Sequence, residues 1–376
     1  MRLIFWMVGD KSGDLHAANV IAHFQTIAPH VEHVGIGGPQ MRQKGFRPLL
    51  PFERFNIMGF GEVVKHLPFF YKTEKMIKSY LAENEPDLVV LVDYPGFNFR
   101  IANIAYNLHI KILYYIIPQF WAWRHNRIFQ LRQFCDYIAC IFPFEKELLD
   151  IHGIESSYVG HPIVEEVNIQ IDKKEFAKFF ALDPEKKWIS FFPGSRLSEI
   201  KRLLPVYAKT IKKLRNERPD CEFLVSKTRN IPSEVFNNFL KEIKYARVID
   251  GYTYEMMKYS DFLIVKSGTT TVEAAYIGTP FAVVYKTSSL SYKIARKYVR
   301  VSYIAMPNII LYKDIIPELI QDDVTPEKLI DTITLYLENQ KEYQQMSADL
   351  TGLKEHLGTL SASKNVADKM IELINK

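Results

Sequence analysis

Residues 3–19 read LIFWMVGDKSGDLHAAN, from Leu3 to Asn19. Six apolar residues, a glycine-bearing turn and a helix start follow one another, which is how a parallel α/β unit begins. Glycines let the backbone approach a ligand and a helix N-terminus attracts anions, so the turn has the outline of a phosphate loop. Its spacing fits neither G-x-G-x-x-G nor G-x-x-x-x-G-K-[ST], and Asp10 and Asp14 line a turn that would have to receive a phosphate. The stretch decides the fold class and leaves its own ligand open.

The same rhythm recurs along the chain. Short apolar runs at residues 31–36, 88–92, 112–117 and 137–142, then at 188–192, 223–225, 247–249, 262–265 and 281–285, alternate with longer amphipathic stretches. Strands separated by helices imply a parallel sheet covered on both faces, because each crossover is long and right-handed. Two such sets imply an α/β protein of two doubly wound domains. The pattern lapses between Gly160 and Asp172, so the expected division is residues 1–165, 166–345 and a helical segment 346–376. In that segment Val366, Met370, Leu373 and Ile374 recur at helical spacing, suited to packing back on the first domain.

Composition narrows the class. The 376 residues are 48% hydrophobic and 24% charged, which excludes disorder and coiled coil, and the net charge of +5 permits a nucleotide, a phospholipid surface or a nucleic acid as partner. Cys135, Cys140 and Cys221 form no C-x-x-C pair, as in a reducing, cytoplasmic setting. The first apolar run is too short for a signal peptide, and residues 112–123 carry Pro118 and Gln119 and fall short of the ~20 needed to span a bilayer. Membrane contact is therefore expected to be peripheral.

In an open α/β sheet, ligands bind at the carboxyl ends of strands. Three such positions carry chemistry. Gly194, Ser195 and Arg196, in PGSR, offer a glycine turn, a hydroxyl, a guanidinium and a helix N-terminus to one phosphate; the plain alternative is Ser195 as a helix cap. Gly268 and Thr269 open a second such turn, with Glu273 one helical turn later able to accept two hydrogen bonds from a ribose diol. Thr270 and Glu273 could equally form a capping box. Asp93, after the run 88–92, is a candidate general base, unless it merely caps the turn. His161, Asp14 and His16 are weaker bases, and no histidine has metal-ligand spacing. Residues 58–78 mix aromatics with Lys65, Lys72, Lys75 and Lys78, either an interfacial helix or a core-facing one with a solvated lysine face. In residues 120–134 arginines and aromatics could bind nucleic acid, but Ile128, Leu131 and Phe134 at helical spacing favour one buried face and one solvated arginine face.

The phrases GDKSGD (9–14), VGIGGPQM (34–41), MGFGEV (58–63), VDYPGFN (92–98), IPQFWAWR (117–124), FPFEKELL (142–149), VGHP (159–162), PGSRLSEI (193–200), SGTTTVEAA (267–275) and MPNII (306–310) stand in the order found in the lipid-A-disaccharide synthase family. The sequence resembles that family over nearly its whole length. The resemblance implies an inverting glycosyltransferase with two Rossmann-like domains facing a cleft, the GT-B architecture. Such enzymes serve lipid A (lipopolysaccharide) biosynthesis in Gram-negative bacteria. They transfer 2,3-diacylglucosamine from UDP-2,3-diacylglucosamine to the 6-hydroxyl of 2,3-diacylglucosamine 1-phosphate, giving a β-1,6 disaccharide and UDP.

By the same resemblance Asp93 matches the family's acidic base, Arg196 its diphosphate-associated arginine and Glu273 a ribose contact, while Asn308 lies in a motif returning to the nucleotide. Asp14 is the reserve base. Gly13, Ser12 and Lys11 fall on the acceptor side, Gly13 allowing close approach of the sugar and Lys11 meeting the acceptor's 1-phosphate. No cofactor and no catalytic metal are implied. The lipid substrates give Val63, Val64, Leu67, Phe69 and Phe70 a use at an acyl groove or bilayer, with the lysines at headgroups on the cytoplasmic face of the inner membrane. Nucleic acid is not a partner, and a homodimer is left open. Asp10 and Lys11 replace the family's commoner Glu and Ala, and Gln119 its commoner serine, changes on the acceptor side. The rivals are another UDP-sugar enzyme of this architecture, such as a UDP-N-acetylglucosamine 2-epimerase, and a non-catalytic nucleotide-binding relative.

Overall fold

The structure is a computed structural model describing residues 2–55, 60–122, 124–228, 231, 234, 236, 245–298 and 301–376, by backbone alone at 60–66, 290, 294–295 and 298. The chain forms two compact units, Met1–Val164 with Thr359–Lys376, and Glu165–Gly358.

In unit 1 the strands are β1 (Leu3–Val8), β2 (Glu32–Ile36), β3 (Arg47–Pro48), β4 (Leu88–Val92), β5 (Ile112–Tyr115), β6 (Tyr137–Cys140) and β7 (Ser156–Tyr158). They form one parallel sheet in the order β3-β2-β1-β4-β5-β6-β7. The connecting helices include α1 (Lys11–Ile27), α2 (Pro39–Arg42), α3 (Phe60–Asn84), α4 (Pro95–Asn107), α5 (Arg127–Phe134) and α6 (Pro143–Ile151). Helices on both faces bury the strands on both sides, so every residue of β4 is buried and its sequence is an unbroken LVVLV run. Strand order reverses between β1 and β4, where Val8 pairs with Val92. The last helix, Ala362–Asn375, packs on α1, buries Val366, Met370 and Leu373, and donates from Asn365 Nδ2 to the Val159 carbonyl at 2.9 Å.

Unit 2 holds β8 (Lys187–Phe192), β9 (Cys221–Lys227), β10 (Ala246–Asp250), β11 (Phe262–Lys266), β12 (Phe281–Tyr285) and β13 (Glu318–Ile320), in the order β10-β9-β8-β11-β12-β13. Its reversal falls between β8 and β11, where Phe192 pairs with Val265. The helix Leu197–Glu217 buries Ile200, Leu203, Leu204, Tyr207, Ile211 and Leu214, an amphipathic stripe laid on the sheet. The α/β class and the two doubly wound sheets are thus as the alternation implies. The strands it does not reveal, β3, β7 and β13, are edge strands of two or three residues. They are too short to show a period.

Candidate active site

Each sheet offers ligands its reversal point, where the loops of two adjacent strands part and leave a crevice. In unit 1 those loops begin at Gly9 and Asp93. Helix α1 starts at Lys11, so most of GDKSGD is a first helical turn rather than a loop, with Asp10 as its cap, Oδ1 accepting from the Gly13 amide at 2.6 Å. A Cβ on Gly9 would lie 2.3 Å from the Tyr94 ring. Only glycine lets that ring lie across the strand end, its hydroxyl donating to the Phe55 carbonyl at 3.0 Å.

Asp93 and Tyr94 both adopt the left-handed region, at φ 43° and 44°. Two adjacent non-glycine residues there are strained, and the surroundings hold them. The Asp93 carbonyl accepts from Asn98 Nδ2 and from the Tyr114 hydroxyl, each at 2.7 Å, and its amide donates to the Tyr115 carbonyl at 3.1 Å. The bend presents the Asp93 carboxyl to Asp10, with which it shares a side-chain hydrogen bond. Burial first, then the negative charge of Asp10, push the Asp93 pKa from 3.8 up to about 7, against the pull of the Tyr94 amide and His16. A carboxyl so tuned accepts a proton from an alcohol at neutral pH.

The other acceptor-side candidates separate. Asp14 is 2% exposed and spends both carboxylate oxygens on backbone, accepting from the amides of Gly38 (2.8 Å), Gln40 (3.0 Å) and Met41 (3.2 Å). It anchors the N-terminus of α2, a structural task rather than that of a reserve base. Gly13 is buried, and a Cβ there would stand 3.0 Å from Val8, so its smallness serves helix-on-strand packing rather than a sugar. Lys11 and Ser12 are exposed on the first turn of α1. Burial drives the His161 imidazole down to about 3, so it is neutral and accepts from the Ile163 amide at 3.2 Å.

Two residues here escape the sequence reading. Arg127, assigned to a solvated face, is 8% exposed, near Asp93 and Tyr114. The signal was available: residues 127, 131 and 134 share one helical face. Glu145 is buried, raised to about 7 by burial, and ties the chain after β5 to that after β6: it accepts from Trp121 Nε1 at 3.2 Å and from the amides of Ile141 and Phe142 at 3.3 Å.

In unit 2 the loops at the reversal are PGSR after β8 and SGT after β11. Gly194 has φ 96°, and a Cβ there would come within 2.4 Å of Glu199 Oε2. Ser195 and Arg196 are exposed. Arg196, not Ser195, caps the helix Leu197–Glu217, its amide donating to Glu199 Oε2 at 3.4 Å and its Nη1 meeting Oε1 at 3.5 Å. Lys266 Nζ lies 2.7 Å from the same Oε1. Gly268 and Thr269 are exposed, and Thr269 precedes the helix Thr270–Ile277 without a side-chain cap. The capping box open to Thr270 is not the one adopted. Glu273, half-buried, borders a cavity of about 320 Å³ with Asn168, Gln170, Tyr252 and Tyr254. Burial and the charges of Glu273 and Glu166 raise the Tyr254 hydroxyl pKa.

Asn308 points inward instead of to a nucleotide. It is fully buried; Oδ1 accepts from the amides of Ile315 (3.0 Å) and Ile316 (2.9 Å), and Nδ2 donates to the Ile316 carbonyl (2.9 Å) and Glu318 Oε1 (3.1 Å). It is a keystone under β13.

Helix α3 divides the lipid candidates. Phe69 and Phe70 are half-buried and meet the Phe55 ring edge to face at 5.2 and 6.3 Å, packed against the core. Leu67 and Tyr71 are 50% and 68% exposed, with Lys72, Lys75 and Lys78 exposed beyond them. Val63, Val64 and Lys65 lie on the same helix, and their side chains fall outside the described ones. Among the described residues no helix is long and apolar enough to cross a membrane.

A family model for lipid-A-disaccharide synthetase matches residues 4–371. The chain belongs to the lipid-A-disaccharide synthase family. Relatives named lipid-A-disaccharide synthase include that of Nitrosococcus oceani, 38% identical over 99% of this chain and 96% of its own. That of Geobacter metallireducens is 34% identical over 100% and 98%. This family's members are glycosyltransferases, and so is this chain. Among solved structures, UDP-GlcNAc 2-epimerase from Neisseria meningitidis bound to UDP-GlcNAc superposes with a TM-score of 0.69 at 15% identity over 99% of this chain and 100% of that one. The S. aureus MnaA–UDP structure gives 0.66 at 13% identity over 100% and 98%. At such identities the two structures share the fold alone with this chain, and its family is shown by the full-length relatives.

Proposed function

We propose that this glycosyltransferase condenses UDP-2,3-diacylglucosamine with 2,3-diacylglucosamine 1-phosphate by one inverting displacement. Asp93 takes the proton from the acceptor's 6-hydroxyl as that oxygen attacks C1 of the donor sugar. The C1–O bond to the diphosphate breaks, and its electron pair leaves on UDP. The leaving charge falls to the PGSR turn, where Arg196 and helix N-termini oppose it; Glu273 receives the ribose hydroxyls. Two structures of the same fold, complexes with UDP-GlcNAc and with UDP, support a nucleotide in this architecture. The observation that carries the reading is the Asp93 carboxyl, held on a strained strand end with its pKa raised to about 7.

The outer face of α3, with Leu67, Tyr71 and three lysines, gives the acyl substrates a route from an anionic surface such as the cytoplasmic face of the inner membrane. The deciding experiment incubates the protein with both lipid substrates and measures disaccharide and UDP. Asp93→Asn is expected to bind UDP and make no disaccharide. Product at the wild-type rate from that variant would reject the base, and a wild type that makes no disaccharide but epimerises UDP-N-acetylglucosamine supplied in a parallel incubation would reject the reaction.

A further inference from the structure

The reading above leaves Lys266 without a task. It ends β11, one residue past the apolar run, and its side chain is 16% exposed beside a Glu199 side chain that is 12% exposed. The ammonium lies between the two glycine turns of the reversal point. A Cβ on Gly268 would stand 3.7 Å from Nζ, and one on Gly194 would stand 3.3 Å from Lys266 Cδ and 2.4 Å from Glu199 Oε2. The Gly194 turn is therefore kept bare beside one Lys–Glu pair, and the Gly268 turn borders the same ammonium.

We infer that Lys266 is a second cation of the nucleoside-diphosphate site, held by Glu199 until the ligand's phosphate oxygens become its partner. The inference rests on the reading that the PGSR turn receives a diphosphate. Glu199 alone would repel such a ligand, and its charge cancels that of Arg196. With Lys266 the cluster of two cations and one carboxylate keeps one net positive charge; without Lys266 it is neutral. A lysine serves this exchange well, because its ammonium is a point charge on a flexible stem that can swing from carboxylate to phosphate without fixed fork geometry. Glu199 stays hydrogen-bonded to the Arg196 amide throughout and so keeps the turn closed. The pair is a store of positive charge at the strand end, released by an anion.

The test is calorimetric titration of the whole protein with UDP and with uridine, at low and high salt. Lys266→Met is expected to weaken UDP about 10- to 100-fold, the worth of one hydrogen bond to a charged group. Uridine affinity should be unchanged, and the salt dependence of UDP binding should lessen. Lys266→Arg is expected to restore UDP affinity to within about threefold, since charge rather than fork geometry is used. UDP affinity unaltered in Lys266→Met would overturn the inference. So would an equal loss for uridine, which would mark a structural pair. If Lys266→Met does not fold, Glu199→Gln carries the test: UDP should bind more tightly, and weaker binding refutes the exchange. A wild-type protein that binds no UDP would refute the underlying reading instead.

Discussion

Asp10→Asn isolates the electrostatic half of the Asp93 site. Asparagine caps a helix as well as aspartate does, so the Gly13 amide keeps its acceptor and α1 its start. What goes is the negative charge facing Asp93. Burial is the larger cause of the rise from 3.8 to about 7 and Asp10 the next, so removing that charge takes away the smaller share. A drop of about one pH unit, worth about 1.4 kcal/mol, is the scale to expect. The base must be ionised to act, so the rate rises with pH through its pKa, and a lower pKa moves the acid limb of kcat/KM to lower pH. With a pKa near 7, about a tenth of Asp93 is ionised at pH 6; with one near 6, about half is, so the variant's rate at pH 6, taken as a fraction of its own plateau, should exceed the wild type's fraction roughly fivefold. Substrate phosphates titrate near pH 6 but do so identically for both proteins. His16, Arg127 and Tyr114, which also face Asp93, are unchanged. The assay is disaccharide formation from pH 5 to 9 at subsaturating acceptor. An acid limb that stays in place, or moves to higher pH, refutes the assignment of Asp93 as a base tuned by Asp10.

Three further outcomes follow from the same geometry. Arg196→Ala removes an exposed side chain, so the melting temperature should hold while UDP affinity, read by titration, falls about 10- to 100-fold. Asn308→Ala leaves the amides of Ile315 and Ile316 without their acceptor and should cost about 3 kcal/mol or more, seen as a lower urea midpoint for unit 2. Leu67→Ser with Tyr71→Ser changes stability by about 0.5 kcal/mol or less and should release the protein from anionic vesicles in a flotation assay; undiminished binding removes α3 from the membrane contact.

The sheets were legible because a parallel strand buried on both faces writes itself as an apolar run, LVVLV at β4 being the clearest. The glycine turns at the reversal points were legible for a related reason, since strand, glycine and helix start appear in order. Sequence could not tell which way a polar side chain faces. Asp14 and Asn308 stand in glycine-turn and family phrases yet spend their atoms on backbone amides, and Asp10, in the same turn as Asp14, faces another carboxyl. Lys266 and Glu199 lie 67 residues apart and become one cluster only because β8 and β11 pair. Phe69 and Phe70 looked available to lipid because a helix's apolar stripe reads the same against a membrane as against Phe55.

The return of the helix Ala362–Asn375 to unit 1 sets an order of assembly. Unit 2 is one uninterrupted segment, Glu165–Gly358, inserted within unit 1, whose piece Thr359–Lys376 is made after it. The half that begins first therefore finishes second. Until Val366, Met370 and Leu373 emerge, α1 lacks the cover they provide and Val159 the hydrogen bond from Asn365. A chain truncated after Gly358 would hold the whole of unit 2 and an unfinished unit 1, so the unit that carries the PGSR turn can mature before the unit that carries Asp93.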